Sequence, residues 1–275
     1  MKILVTGATG SVGRLVVDRL LDAGAEDVRA LTNDRRRAAL PAGVEVVDGY
    51  LRRPESLPPA FAGVDRMYLA PAPETAAETM RIARAAGIRH VVDLSGEHES
   101  WWGDVTRAVE QSGIAWTHLW AGEFLENDLV WAEQIRRTGR VRDPFPDVVS
   151  APIAMDDIAR VAAACLLGDG HEGRTYELTG PRALSRAERL HAVGVAIGVA
   201  IDVVPESLDE AVARLEPTMG DSARWYVEEA IGSLRDAPQA ATGTVAEVTG
   251  APATDVVEWA AAHSAEFLAD NTESD

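Results

Sequence analysis

The stretch VTGATGSVG, residues 5–13, spaces Gly7, Gly10 and Gly13 three apart, directly after the apolar run KILVT and directly before SVGRLVVDRLLDAG. In the latter, Val12, Leu15, Val16 and Leu20 recur at helical spacing and Gly24 closes the run, so the order is strand, glycine turn, helix. That context is what a dinucleotide fingerprint demands, since spaced glycines alone are a weak signal. Gly7 permits the tight turn, Gly10 lets backbone approach a pyrophosphate, and Gly13 lets helix and strand pack closely. The amides of Ser11 and Val12, with the helix dipole behind them and Thr9 beside them, would hold the phosphates.

The unit repeats along the chain. DVRALT, VEVVDG, DRMYLA, RHVVDLS and IAWTHLW read as further strands, with ETAAETMRIARAAG and WWGDVTRAVEQSG as helices. Such alternation predicts an α/β fold, a doubly wound parallel sheet that binds ligands beyond the carboxyl ends of its strands. After about residue 138 the rhythm changes. GRVRDPFPDVVSAPIA reads as a long Pro-interrupted loop, followed by helices over 155–167, 185–197, 208–215, 222–234 and about 254–268, with RTYELTG and AIDVVP as strands. The expected division is a nucleotide-binding domain over 1–138 and a substrate-binding and lid region over 139–275, intertwined as one compact unit. The polar end DNTESD is expected to fray.

Composition narrows the function. A chain of 275 residues with 47% hydrophobic content can bury one large core. It has no run of about 18 apolar residues, and MKILVTGATG enters a glycine turn instead of a signal-peptide core, so the expectation is a soluble cytoplasmic protein without membrane contact. A formal charge of -18 repels phosphate backbones, which argues against nucleic acid and leaves any bound nucleotide to local dipoles and cations. Lys2 is the sole lysine, so none is available for Schiff-base or ribose-anchoring work. Cys165, in VAAACLL, is the sole cysteine; it excludes an internal disulfide and reads as a buried small hydrophobe. No metal-ligand spacing occurs.

The second strand ends in NDRRR. Asp34 can accept a hydrogen bond from a ribose 2′-hydroxyl, as NAD requires, whereas Arg35, Arg36 and Arg37 can pair with a 2′-phosphate. Three consecutive arginines on an acidic chain favour NADP, with Asn33, Arg35 and Arg36 as contacts and NAD as the alternative.

Taken in order, GATGSVG, VEVVDG, VVDLSG, EQSGIAWTHL, GEFLEN, APIAMDDIARVAAACL, YELTGP and EVTGAPATDVVEWAAAHSAEF resemble an NmrA-like member of the atypical short-chain dehydrogenase/reductases, over nearly the whole chain. The resemblance implies a Rossmann-type domain of about seven parallel strands, a smaller C-terminal substrate-binding region and an NAD(P) cofactor. It further implies cofactor contacts at Ala70, Pro71, Ser95 and Gly122. Family members are either reductases or sensors that bind the nucleotide without turning it over.

Three departures from the family pattern bear on chemistry. Where the family tends to read Gly-Asp-Leu after the third strand, this chain has Gly49-Tyr50-Leu51, so adenine would rest on Tyr50 or on backbone. Where it tends to read Arg-Pro-Gly after the sixth, this chain has Trp120-Ala121-Gly122, which reshapes the nicotinamide side. The paired Tyr and Lys, four apart on one helix face, are replaced by Trp102 and Thr106, neither of which can protonate an alkoxide.

The remaining candidates cluster near the strand ends. Ser95, or the amides of SGEH, can stabilise an oxyanion, with a simple turn cap as the alternative role. His98, between Glu97 and Glu99, is the nearby group suited to donating a proton near neutrality, unless it is only a solvated turn residue. His90 and His118 read as structural. Trp101, Trp102 and Trp120 can sandwich an aromatic substrate or pack in the core, and Phe124, Asn127 and Phe145 are further candidates for the substrate wall. Asp156 and Asp157 read as a helix start. The expected function is NADPH-dependent reduction of an aromatic polyketide carbonyl, of quinone or angucyclinone type, with the proton from the substrate, water or His98. A non-catalytic NAD(P) sensor is the other reading.

Overall fold

The computed structural model describes residues 1–268, and the tail DNTESD lies outside them. In chain order its strands are β1 Ile3–Val5, β2 Val28–Thr32, β3 Glu45–Asp48, β4 Arg66–Leu69, β5 His90–Ser95, β6 Ala115–Ala121, β7 Arg140–Asp143, β8 Val149–Ser150, β9 Arg174–Leu178, β10 Leu184–Ser185 and β11 Asp202–Pro205. Seven of them form one parallel sheet in the order β3-β2-β1-β4-β5-β6-β9. The strand order reverses between β1 and β4, which is the switch point of a Rossmann-type, doubly wound sheet.

The apolar runs explain this sheet. Every residue of β2 and of β5 is buried, as strands covered on both faces should be. Register aligns Leu4 with Met67 and Met67 with Val91. These side chains share one core with Phe61, Met80, Val105 and Val109, which seats the helices Ala76–Ala85 and Gly103–Gln111 on that face. The helices Ser11–Asp22 and Met155–Leu167 pack on one another, and Arg19 Nε ties them by a 2.8 Å bond to Asp156 Oδ1. Asp156 and Asp157 do stand in the first turn of the second helix, where the dipole favours carboxylates. Cys165 in that helix is fully buried, and burial pushes its thiol up to about 12.

The chain divides into two compact units. Met1–Ala121, Met155–Leu178 and Thr244–Pro252 form the first; Gly122–Ala154, Thr179–Gly243 and the residues from Ala253 form the second. The units interleave along the sequence because β9 pairs with β6 and so returns 155–178 to the first sheet.

In the second unit, the segment expected as a loop, GRVRDPFPDVVSAPIA, holds two short strands. β7 lies parallel to β11 with Val141 opposite Val203, and β8 lies antiparallel to β10. Val141 is buried between exposed Arg140 and Arg142, an alternation that Pro144 and Pro146 cut short after four residues. The helix expected over 222–234 breaks into a short α turn, a π turn over Tyr226–Ile231 and a 3₁₀ turn over Gly232–Arg235. That expected over 254–268 divides at His263. Arg186 and Arg189 sit over the Trp131 ring at 4.9 and 5.4 Å and pair with Glu123, Asp128 and Asp143. Burial pushes Asp128 up to about 7; burial also opposes ionisation of Glu123, yet Arg189 and Arg186 hold it below its ordinary range. This buried cluster fixes the segment that carries Phe124 and Asn127. Among the described residues no helix is long and apolar enough to cross a membrane.

Candidate active site

Thr6 sets the geometry of the glycine turn. Its hydroxyl donates to the Tyr68 carbonyl at 3.0 Å and accepts from the Ala70 amide at 2.8 Å, which locks the exits of β1 and β4 side by side. Gly7 follows at φ +61°, and a Cβ there would stand 2.8 Å from that of Ala70. Gly13 is held more tightly still, since its Cβ would lie 2.2 Å from the Gly7 carbonyl oxygen. Gly10 caps the helix Ser11–Asp22 without any side-chain bond, and the first turn contains no acidic residue. The leading amides and the positive helix end therefore face an opening suited to an anion. Thr9, Gly10 and Ser11 are exposed there, while Val12 and Gly13 are buried against the sheet.

Beside this turn lies a cavity of about 190 Å³ that brings together Gly7, Thr9, Asn33, Tyr50, Leu51, Ala70 and Pro71. Tyr50 occupies the place of the missing Asp, with its amide on Ser56 Oγ at 2.9 Å and the Arg53 guanidinium 5.8 Å from its ring centre. An adjoining recess is lined by Thr9, Thr32, Asn33, Asp34, Arg37 and Arg53. Asp34 is already engaged, accepting the Arg36 amide at 3.0 Å with its second oxygen 3.6 Å from Arg37 Nε. Arg35 turns instead to Asp48, at 3.4 Å. Of the arginine run it is thus Arg37, joined by Arg53, that lines the recess, rather than Arg35 and Arg36. The run LRRP just after Tyr50 was the available signal for Arg53.

A glycine cradle that a Cβ would fill, an uncapped helix start and a recess with two guanidiniums fit a dinucleotide bearing a 2′-phosphate. Replacing both Arg37 and Arg53 by Ala is expected to weaken NADPH binding about 10- to 100-fold, the worth of one or two charge-assisted hydrogen bonds, and to leave NADH binding nearly unchanged. Parallel titrations of the two nucleotides check this.

Ser95 closes β5. It is 5% exposed, and its Oγ is buried without a hydrogen-bond partner among the described residues, so it does not act as a turn cap. Trp120 is its register partner on β6, and the indole Nε1 is likewise buried and unpartnered among those residues. A buried polar group left unmade costs about 1–3 kcal/mol. Both residues stand at the carboxyl end of the sheet, paired in register across β5 and β6.

His98 is not an idle turn residue. Its Nε2 lies 3.0 Å from Glu110 Oε2, and its ring stands edge-on to Trp120 at 6.5 Å. The loop is pressed onto the helix Gly103–Gln111, because a Cβ on Gly103 would meet the His98 carbonyl oxygen at 2.1 Å. Thr106 clasps the same loop through a 2.6 Å bond to the Gly96 carbonyl. Trp101 and Trp102 stack on each other at 6.0 Å and are 60% and 38% exposed, so they are not core residues. His90 sits at the other end of β5, with Nε2 on Thr117 Oγ1 at 2.9 Å, and burial pulls it down to about 4.

The other predicted residues belong to the second unit. Gly122 is pressed by Gln239, whose Nε2 would lie 2.2 Å from a Cβ there and whose Oε1 is buried and unpartnered among the described residues. Nothing in APQAATG singled out that glutamine. Phe124 is half-buried and bridges to Ile153, and Asn127 is exposed one turn on. Phe145 lines a cavity of about 680 Å³ with Leu208, Leu234 and Arg235, whose guanidinium stands 5.6 Å from the Phe145 ring. That volume is within the range of small-molecule sites.

Residues 7–169 match the family model described as NAD(P)H-binding. The chain is 35% identical to the (4-alkanoyl-5-oxo-2,5-dihydrofuran-3-yl)methyl phosphate reductase of Streptomyces griseus, covering 96% of this chain and 99% of that one. It is 33% identical to the NAD(P)H azoreductase of Xenophilus azovorans over the same shares. Its fold is similar to that of an NADPH-dependent quinone oxidoreductase of Escherichia coli complexed with NADPH, with a TM-score of 0.86 and 23% identity over 95% of this chain and 99% of that one.

Proposed function

The chain belongs to the NAD(P)H-binding family, among the NmrA-like atypical short-chain dehydrogenase/reductases, and is an NAD(P)H-dependent oxidoreductase; from that premise we propose an NADPH-dependent ketoreductase acting on an aromatic polyketide carbonyl of quinone or angucyclinone type. The observation that carries this reading is the pair of unpartnered donors, Ser95 Oγ and Trp120 Nε1, at the ends of β5 and β6. The relatives named above are reductases of a furanone, an azo compound and quinones, all conjugated acceptors, which supports an electron-poor substrate.

When bound, the dihydronicotinamide supplies a hydride. The amides after Gly10 hold the pyrophosphate, Arg37 and Arg53 the 2′-phosphate, and Tyr50 and Leu51 the adenine. Ser95 donates to the carbonyl oxygen as charge develops on it, a contact of the kind worth about 10²- to 10³-fold in rate. Trp101 and Trp102 offer a flat apolar surface to fused rings. Gly122 is proposed for the nicotinamide, and Phe124, Asn127 and Phe145 for the substrate. Such a step would belong to cytoplasmic tailoring of an aromatic antibiotic.

The missing Tyr and Lys are tolerable on magnitude. Orientation of the reactants can lower the barrier by about 7–11 kcal/mol, whereas a general acid adds only about 10²- to 10⁴-fold. A phenol beside the ketone can polarise it and pass a proton across, with His98 or water as further sources. The test uses a hydroxylated polyketide quinone and its methyl ether with NADPH. Methylation is expected to slow turnover about 100-fold; equal turnover of the ether would overturn the substrate's part.

A further inference from the structure

Four titratable side chains form a line through the first unit. Asp93 on β5 is fully buried, and its Oδ2 lies 2.7 Å from Nδ1 of His118, its register partner on β6 and 1% exposed. His118 Nε2 lies 3.8 Å from Glu110 Oε1, beyond hydrogen-bonding distance, and has no hydrogen-bond partner among the described residues. The other Glu110 oxygen meets His98 Nε2 at 3.0 Å. The Glu110 carboxylate therefore lies between two imidazoles, bonded to the one at the surface and near the one inside the sheet. Trp116 stacks on His118 at 4.0 Å, and Trp120 flanks both imidazoles at 6.5 Å, so aromatic rings hold the line in place.

Burying Asp93 and His118 carries a desolvation cost that an apolar pair would avoid. A purely structural pair would also need no link to a half-exposed loop histidine. We propose that Glu110 is a positioning residue that holds the His98 ring for proton donation. This deepens the ketoreductase reading and rests on it.

The hydrogen-bond logic assigns the nitrogens. A carboxylate accepts, so Nε2 of His98 keeps its hydrogen on Glu110 and Nδ1 is the nitrogen that exchanges protons. In the step, the Nδ1–H bond of the imidazolium breaks and an O–H bond forms on the alkoxide left by hydride addition from NADPH. Neutral imidazole remains on Glu110 and regains its proton from solvent. The division of labour resembles that of a histidine oriented by a carboxylate in acyl transfer. The charged groups around His98 are Glu110, on its ring, and Arg107, on its carbonyl and also paired with Asp104, with Glu97 and Glu99 its neighbours in the chain.

The test measures kcat, KM, NADPH affinity and the pH–rate profile of the full chain with the hydroxylated quinone, for Glu110→Gln, Glu110→Asp, His98→Asn and the double variant Glu110→Gln with His98→Asn. Glu110→Gln is expected to lower kcat about 10-fold or more with KM and NADPH affinity unchanged, and to alter the pH profile as His98→Asn does. The double variant should be no slower than His98→Asn alone, and Glu110→Asp should recover part of the rate. Wild-type kcat and pH profile in Glu110→Gln, or additive losses in the double variant, would overturn this proposal alone. If Glu110→Gln does not fold, the Glu110→Asp variant carries the same comparison. A wild-type protein that leaves NADPH unoxidised would overturn the ketoreductase reading beneath it.

Discussion

Gly13→Ala is expected to abolish useful NADPH binding, weakening it by about 100-fold or more, and to lower the melting temperature by several degrees. The added methyl would stand 2.2 Å from the Gly7 carbonyl oxygen, 2.7 Å from its carbon and 3.2 Å from the Ala8 nitrogen. All three are backbone atoms, and no side-chain rotation relieves the clash. Either the helix Ser11–Asp22 moves away from the turn or the turn itself distorts, and overpacking of this kind costs about 1–3 kcal/mol before any ligand is lost. Because leading amides of that helix and the turn together would hold the phosphates, displacing one against the other is expected to remove the site. Gly10→Ala is the control for the melting temperature alone, since its nearest protein contact would be 3.2 Å and a small shift accommodates it; at the pyrophosphate it is expected to lower nucleotide affinity as well. Nucleotide titration and thermal melts of the two variants check this; ordinary NADPH affinity in Gly13→Ala would contradict the cradle.

Ser95→Ala is expected to separate function from stability. Loss of an oxyanion donor should lower kcat about 10²- to 10³-fold. The same substitution removes a buried hydroxyl that has no partner among the described residues, and so should leave the melting temperature equal or slightly higher. A structural serine would behave in the opposite way, destabilising when lost and sparing the rate. Steady-state kinetics and a thermal melt of one variant distinguish the two.

The glycine turn, six of the seven sheet strands and their helices were legible in the sequence because each rests on a local pattern: glycine spacing, an apolar run, a 3.6-residue period. RTYELTG was legible as a strand, but not as the neighbour of β6, since that pairing spans more than fifty residues. β7 was hidden because a four-residue strand with one inward valine, followed by two prolines, looks like a loop. The recess favouring NADP was legible as a basic run, whereas the choice of Arg37 over Arg35 depended on Asp48 capturing Arg35 from the next strand. Asp93 and His118 were each visible as polar residues inside apolar strands. Their partnership was not, because it depends on the β5–β6 register, and Glu110 joins them only once the helix Gly103–Gln111 lies on that sheet face.

We propose that this chain transfers hydride from NADPH to an aromatic carbonyl without the usual Tyr and Lys. The most direct test is to mix the purified protein with NADPH and a hydroxylated polyketide quinone, following nucleotide absorbance and the product together. NADPH consumed mole for mole with the alcohol or hydroquinone formed is the predicted result. Saturable NADPH binding with no oxidation across a set of such carbonyls would contradict it, and would mark the protein as a nucleotide sensor.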